Sequence, residues 1–455
     1  MELHLDLAAG AGPSLRARVE HALRDGIRSG VLAPATRLPS TRTLAAQLGV
    51  SRGVVVDAYA QLVAEGYLTA RHGAGTAVAA TEPPRSGRPA HPPAATTVRH
   101  DLSPFVPQLS AFPRGAWRAA TGRVLRDAPD AHLGLPEGAG LAQLRVALAG
   151  YLGRARGVRT SPEQIVVTNG LRQGLGLLWP ALAATGARTV GAEQPGWRGV
   201  TETAADAGMQ VVALPVDEHG LVVERLDDHP RPDAVVVAPA HQFPTGAVLS
   251  PARRTELVAW ARRTGALIVE DDYDAEYRYD REPIGALQGL APGHVVYGGS
   301  ASKSLAPAVR LGWLALPRDL APALAALQLR RGGMPAALQQ LAFADLVERG
   351  ELDRHLRRQR RSYRRRRDAL LAELRRRLPE VEVRGAAAGL FVVVHLPAGT
   401  DEAAVLGAAR AIGLSLEGLG VAGEPALVVG YANLAEAAVA GAVEALAASV
   451  RSARG

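Results

Sequence analysis

Residues 81–98 limit how much of this chain can belong to one folded body. The stretch runs Thr81-Glu82-Pro83-Pro84-Arg85-Ser86-Gly87-Arg88-Pro89-Ala90-His91-Pro92-Pro93 and on to Val98, with five prolines and no apolar periodicity. Each proline removes a backbone donor and fixes φ, so neither a helix interior nor a central strand runs easily through it. The stretch therefore reads as an extended, semi-stiff linker. It separates a module over 1–80 from a larger one over 99–455, whose last part, roughly 340–455, is expected to form a smaller α+β subdomain.

Composition narrows the classes. With 47% hydrophobic and 21% charged residues, the chain of 455 falls among globular, well-buried proteins rather than disordered ones. Cysteine is absent, which excludes disulfides, thiolate metal sites and cysteine nucleophiles. No run of about 18 apolar residues occurs, and the start, Met1-Glu2-Leu3-His4, has no basic region leading into an apolar one. The expected compartment is the cytoplasm, with no membrane partner. The net charge of +8 is local: residues 351–377 hold twelve arginines against four acids, an excess equal to that of the whole chain. Because Leu370, Leu371 and Leu374 follow at helical spacing, this segment reads first as a solvated helix face, with contact to DNA phosphates as the minor alternative.

The first module reads as three helices and a hairpin. Ser14 can cap a helix over 14–29 with Leu15, Val19, Leu23 and Ile27 on one stripe. A helix Thr41–Leu48, a Gly49-Val50 turn and a helix from Arg52 to about Glu65, capped by Ser51, follow. Tyr67–Ala70 and Thr76–Val78, joined by Arg71-His72-Gly73-Ala74-Gly75, predict a hairpin. This is a winged helix-turn-helix pattern, in which the second helix of the pair enters the major groove of DNA. Arg37-Leu38-Pro39-Ser40, Arg42, Leu48-Gly49-Val50-Ser51-Arg52, Tyr59, Glu65-Gly66-Tyr67 and Gly73-Ala74-Gly75-Thr76 resemble the GntR family of bacterial repressors. The resemblance implies a double-stranded DNA operator as partner and assigns DNA contacts to Arg37, Ser40, Arg42, Ser51, Arg52, Arg71 and His72. Gly53 departs from the polar residue or arginine often found there.

The larger module alternates helices with short apolar runs such as Ile165–Val167, Ala234–Val237, Leu267–Val269 and Val295–Tyr297, the pattern of an α/β fold around a mainly parallel sheet. Functional groups then collect at strand ends. Thr168-Asn169-Gly170-Leu171 is a strand end and helix start able to present amides to a phosphate. Glu270-Asp271-Asp272-Tyr273-Asp274 can hold a divalent metal, or one carboxylate can face a protonated ring nitrogen; no histidine pair joins them at ligand spacing. Ser300-Ala301-Ser302-Lys303 offers two hydroxyls and an amine, which suit a phosphate ester bearing an aldehyde, and Arg310 can clamp that phosphate. Of the 52 basic residues, 51 are arginine, so Lys303 is the only lysine. Arginine replaces lysine in most ion pairs but not where an amine must lose its proton and attack a carbonyl. His241, in Pro239-Ala240-His241-Gln242-Phe243-Pro244, is expected near the same site.

Lysine, phosphate cup and carboxylate are the parts that pyridoxal 5'-phosphate requires. Tyr273 can supply a phenol for its ring hydroxyl, and Trp197 a flat surface for stacking. The order of these motifs resembles a fold-type I aminotransferase over roughly 101–455, and the whole chain resembles the MocR-type subgroup of GntR regulators. That resemblance implies a Schiff base at Lys303, Asp271 at the pyridine nitrogen, Tyr273 at the ring oxygen, and Ser300, Ser302, Arg310, Gly170 and Leu171 at the phosphate. It also implies a head-to-tail homodimer and a small-molecule effector, either pyridoxal phosphate or an amine. The stretch Leu416–Glu424 contains no arginine to bind an effector carboxylate; Arg172 and Arg198 are the remaining candidates. The function expected is a regulator that senses the cofactor or an amino compound, more a sensor than an enzyme. The alternative is an active aminotransferase carrying a DNA-binding module.

Overall fold

The computed structural model describes residues 14–71, 75–79, 98–228, 230–280, 284–421 and 424–453. The chain divides into two compact units, Met1–Ala95 and Thr96–Gly455. His72 and residues 81–97 lie outside the described residues.

In the first unit, helices α1 (Leu15–Arg28), α2 (Thr41–Leu48) and α3 (Arg52–Ala64) precede strands β1 (Leu68–Arg71) and β2 (Gly75–Val78). Each helix starts where a serine hydroxyl replaces a missing backbone partner: Ser14 accepts from Ala17 N, Ser40 from Thr43 N and Ser51 from Val54 N. α2 ends at Gly49, whose left-handed φ of 64° turns the chain into α3. Val19, Leu23, Leu44, Val55, Ala58 and Leu62 close a core between the helices and the hairpin. Leu15, expected on the buried stripe, is 44% exposed because the first turn of α1 extends past that core. The loop before α2 joins the hairpin, with Arg37 bridging Ala77 and Leu38 N donating to Thr76 O at 2.9 Å.

The second unit opens with β3 (His100–Asp101) and is built on eight strands: β4 (Ile165–Thr168), β5 (Thr189–Gln194), β6 (Gln210–Asp217), β7 (Gly220–Leu221), β8 (Ala234–Val237), β9 (Leu267–Asp271), β10 (Val295–Ser300) and β11 (Gly312–Ala315). Their order in the sheet is β4-β11-β10-β9-β8-β5-β6-β7. Pairings from β10 through β6 are parallel, whereas β11 runs antiparallel to both its neighbours and β7 to β6. Strands β4 and β8 are buried throughout, as expected of strands covered on both faces by helices.

Beyond the sheet, the 27-residue helix Glu351–Arg377 leads into β12 (Glu382–Arg384), β13 (Phe391–His395), β14 (Leu414–Ser415), β15 (Glu417–Gly418) and β16 (Ala426–Gly430). Four of these form a second sheet, ordered β12-β13-β16-β15, and β14 pairs in parallel with β3. The basic helix buries Leu352, Leu356, Tyr363, Leu370 and Leu374 along one stripe and exposes Arg357, Arg358, Arg361 and Arg364 on the other, as an amphipathic helix should.

Candidate functional site

Register brings the chemistry to one edge of the large sheet. Ser300 pairs with Gly312, and Gly312 with Thr168, so the ends of β4 and β10 lie in one row. Asp271 pairs with Gly298, placing the end of β9 two residues behind that row. Carboxyl ends of parallel strands are where such sheets gather ligands. Backbone approach is close here. A Cβ on Gly312 would stand 2.6 Å from Gly170 Cα, and Gly170 itself takes φ 105°, a conformation open chiefly to glycine.

The edge opens into a cavity of about 300 Å³, lined by Phe105, Asn169, Gly170, Leu171, Arg172, Trp197, Phe243, Asp271, Tyr273, Gly299, Ser300, Ser302, Lys303 and Arg310. Nine of the ten residues expected at a cofactor therefore share one wall. Lys303 sits in the single turn Ala301–Ser304 after β10. Its Nζ donates to Phe105 O at 2.8 Å and lies 4.9 Å from the centre of the Phe105 ring. Burial pushes its pKa down to about 8, against the opposing fields of Asp271, Asp274 and Glu417.

Asp271 is half-buried, but its Oδ1 is shielded from solvent and makes no hydrogen bond. Burial first, and then Asp272 and Asp274, push this carboxyl up to about 8, with Lys303 opposing. A buried acceptor without a donor costs stability unless a ligand satisfies it. Ser300 Oγ caps the lysine turn by accepting from Ser302 N at 3.1 Å and lies 2.9 Å from Ser302 Oγ. Arg310 holds a left-handed φ of 51° and makes no ion pair among the described residues. Strain in a non-glycine residue beside a cavity is a mark of functional constraint. The amides of Leu171 and Arg172 open the helix Leu171–Ala184 toward the same space.

His241 is the exception. It is 2% exposed and does not line the cavity. Its Nδ1 is 2.9 Å from Asp274 Oδ2, its ring stacks on Phe391 at 4.7 Å, and Tyr273 Oη donates to its backbone carbonyl at 2.9 Å. It stands one layer behind the wall and fixes Tyr273. Its own position is fixed by Gly389, where a Cβ would stand 2.1 Å from the imidazole. Trp197 precedes the helix Arg198–Asp206, with its indole lying over Gly199. Arg172 lines the cavity but donates to Glu202 at 2.6 Å, while Arg198 points away, its side chain 90% exposed.

Phe105, Phe243, Asn169, Arg172 and Gly299 complete the wall and are not among the residues expected at the cofactor. Asn169 and Phe243 sit inside motifs whose neighbours carry the signal, Gly299 directly precedes Ser300, and Arg172 is a candidate for an effector carboxylate instead. Phe105 carries no local signal, since it belongs to a turn between two prolines and is brought to the site by long-range contacts, among them the pairing of β3 with β14.

These residues fit pyridoxal 5'-phosphate: an orphaned carboxylate for a protonated ring nitrogen, an amine of lowered pKa for an aldehyde, and an unpaired arginine with two hydroxyls for a phosphate. No group of three or more potential metal ligands occurs among the described residues.

On the first unit, Arg37, Ser40, Arg42, Ser51, Arg52 and Arg71 are all exposed, and the four arginines among them make no ion pair among the described residues. Arg52 starts α3, whose exposed face runs Arg52, Gly53, Val56, Asp57 and Ala60.

Known proteins match both units. The gntR family of bacterial regulatory proteins matches residues 15–78, and aminotransferase class I and II matches 108–440. The pyridoxine biosynthesis transcriptional regulator PdxR of Corynebacterium glutamicum is 37% identical over 390 residues, covering 84% of this chain and 83% of that protein. The probable rhizopine catabolism regulatory protein MocR of Rhizobium meliloti is 36% identical over 79% of this chain and 76% of its own length. This chain belongs to the MocR-type GntR regulators. Its second unit has the aminotransferase fold: kynurenine aminotransferase of Pyrococcus horikoshii superposes with a TM-score of 0.71 at 24% identity, covering 79% of this chain and 92% of that one. A MocR-type regulator joins a DNA-binding module to such a fold, and no described helix of this one is long and apolar enough to cross a membrane.

Proposed function

We propose that this regulator holds pyridoxal 5'-phosphate at Lys303 and changes its hold on operator DNA when that cofactor, alone or joined to an amino compound, occupies the cavity. The observation that carries the reading is the unpartnered, buried Oδ1 of Asp271 in the same wall as the Lys303 amine. When bound, pyridoxal phosphate supplies an aldehyde that condenses reversibly with primary amines, and a ring nitrogen that Asp271 keeps protonated. Lys303 offers a nucleophile with lowered pKa. Ser300, Ser302, Arg310 and the amides at Gly170-Leu171 hold the phosphate end, Tyr273 meets the ring oxygen, and Trp197 covers the ring. His241 and Asp274 act from behind by fixing Tyr273.

Two facts favour the cofactor itself as the signal. The relative from Corynebacterium glutamicum is named for regulating pyridoxine biosynthesis. Of the two arginines in the cavity wall, Arg172 is already paired with Glu202, and Arg310 belongs to the phosphate cup, which leaves none for an effector carboxylate. The working assembly is a head-to-tail homodimer, which would place two DNA-binding units on paired half-sites.

The test is a titration of operator binding with and without pyridoxal phosphate. Signalling requires that affinity differ between the two, because a ligand shifts only an equilibrium whose states it distinguishes. Equal operator affinity in both, together with rapid repeated transamination of an amino acid and a 2-oxo acid, would establish the enzyme reading instead.

Arg37, Ser40, Arg42, Ser51, Arg52, Arg71 and His72 form the proposed DNA surface. Arg52→Ala is expected to weaken operator binding by about 1–3 kcal/mol if Arg52 reads a base, or to lower the salt slope by about one if it holds a phosphate. Electrophoretic mobility shifts at several salt concentrations separate the two.

A further inference from the structure

The bond from Lys303 to Phe105 joins the reactive amine to the entry of the whole second unit. Residues 98–108 are the first described segment after the sequence that links the two units. Its start is held by backbone and side-chain bonds. Arg99 N donates to Gly413 O, Leu102 N to Ser415 O, and Gly430 N to Leu102 O; Asn433 Nδ2 donates to Asp101. Its far end is held by Gln108 N, which donates to Tyr363 Oη at 2.9 Å. Between them lies Pro104-Phe105-Val106-Pro107. Among the described residues, the only hydrogen bond made by the backbone of these four is the one that Phe105 O accepts from Lys303 Nζ. The two prolines have no N–H to give. The Phe105 ring adds contacts to Phe243 at 4.3 Å and to Tyr273 at 5.9 Å.

We propose that this strap is a latch on Lys303: the free amine holds the Phe105 carbonyl, and an aldehyde that condenses with the amine releases it. The inference rests on the reading that pyridoxal phosphate binds covalently at Lys303. The chemistry of the nitrogen requires the change. An amine and an aldehyde join with the loss of one water, forming a carbon–nitrogen double bond. A nitrogen that carried three hydrogens as ammonium, or two as amine, keeps at most one, and that one only when protonated. The Phe105 carbonyl thus loses a charge-assisted donor, the stronger class of hydrogen bond. The middle of the strap then keeps only its aromatic contacts, and occupancy of the cavity is written into the segment from which the linker departs. A bond of this kind shifts the balance between held and released forms on the order of tenfold.

The absence of cysteine makes the test direct, since Val106→Cys gives the full-length chain one thiol at a half-buried position in the strap. Its rate of reaction with an aromatic disulfide reagent is measured without and with pyridoxal phosphate, while the visible absorption band reports covalent loading. Loading is expected to raise the rate several-fold. In the Val106→Cys, Lys303→Met double variant the rate is expected to be high from the start and unmoved by the cofactor. That result separates loss of the bond from crowding by a ligand. If the band appears and the thiol rate stays level or falls, the latch is wrong and the cofactor reading stands. If no band appears, both fail.

Discussion

Lys303→Ala is expected to abolish covalent capture of pyridoxal phosphate completely, not merely to weaken it. No other lysine exists in the chain to take over. Borohydride treatment of the loaded wild-type protein should fix the cofactor on a single peptide containing Lys303, and the variant should carry none above background. Non-covalent binding through the phosphate cup should persist, because Ser300, Ser302 and Arg310 are untouched. Burial explains why this amine is competent: a pKa near 8 instead of 10.5 raises its neutral fraction at pH 7 by roughly 300-fold. The rate of capture by the wild-type protein should accordingly rise with pH up to about 8 and then level. Stopped-flow absorbance measures it. A visible band in Lys303→Ala equal to that of wild type would sink the assignment.

Asp271→Asn is expected to act in opposite directions on the empty and the loaded protein. In the empty protein the carboxyl titrates near 8 when folded, against 3.8 as its ordinary value. An acid whose folded pKa is raised binds more protons folded than unfolded between those values. The folded protein therefore loses stability as pH rises from about 4 to about 8, and the loss is complete above that window. Asparagine removes the penalty. The empty variant should match wild type near pH 4 and exceed it by a few kcal/mol at pH 8, as read from denaturant midpoints at each pH. Glu193, pushed up to about 8 chiefly by burial and in smaller part by Asp271, contributes to the pH dependence of both proteins, so all but its coupling to Asp271 cancels in the comparison. With cofactor the sign reverses. The protonated ring nitrogen then sits in a buried site without its counter-charge, a loss of about 2–5 kcal/mol, so affinity should fall by roughly 30-fold to several thousand-fold. If the variant binds pyridoxal phosphate as tightly as wild type, Asp271 does not meet the ring nitrogen.

Both effects start from residues visible in the sequence because local rules fix their surroundings. A run such as Leu267-Ile268-Val269 makes a buried strand, and the polar residues that follow it must emerge at the strand's end. The same logic marks Ser300 through Lys303, and local capping rules mark Ser14 and Ser51 at the starts of two N-terminal helices; the cap at Ser40 emerges only in the structure. His241 shows the limit. Its motif is polar and follows a strand, but which side of a loop faces a cavity depends on what packs there, and Asp274 with Phe391 draws the imidazole behind the wall. Phe105 was out of reach altogether, because it arrives through a pairing between residues 100–101 and 414–415, more than 300 positions apart.

Legible in the sequence alone are the two modules, the alternation that builds the sheet, the family resemblance and the one side-chain amine able to form a Schiff base. These depend on periodicity, capping and residue chemistry, which act over a few positions. Only the tertiary structure settles which carboxylate in the cavity wall is left without a partner, which of the two arginines there makes no ion pair among the described residues, and what the amine holds while it waits. Those properties are differences between environments, and an environment is assembled from segments that the sequence keeps apart. Asp271 and Asp272 are adjacent, yet Arg156 binds Asp272 at 2.7 Å while Asp271, in the cavity wall, leaves its Oδ1 without a hydrogen bond.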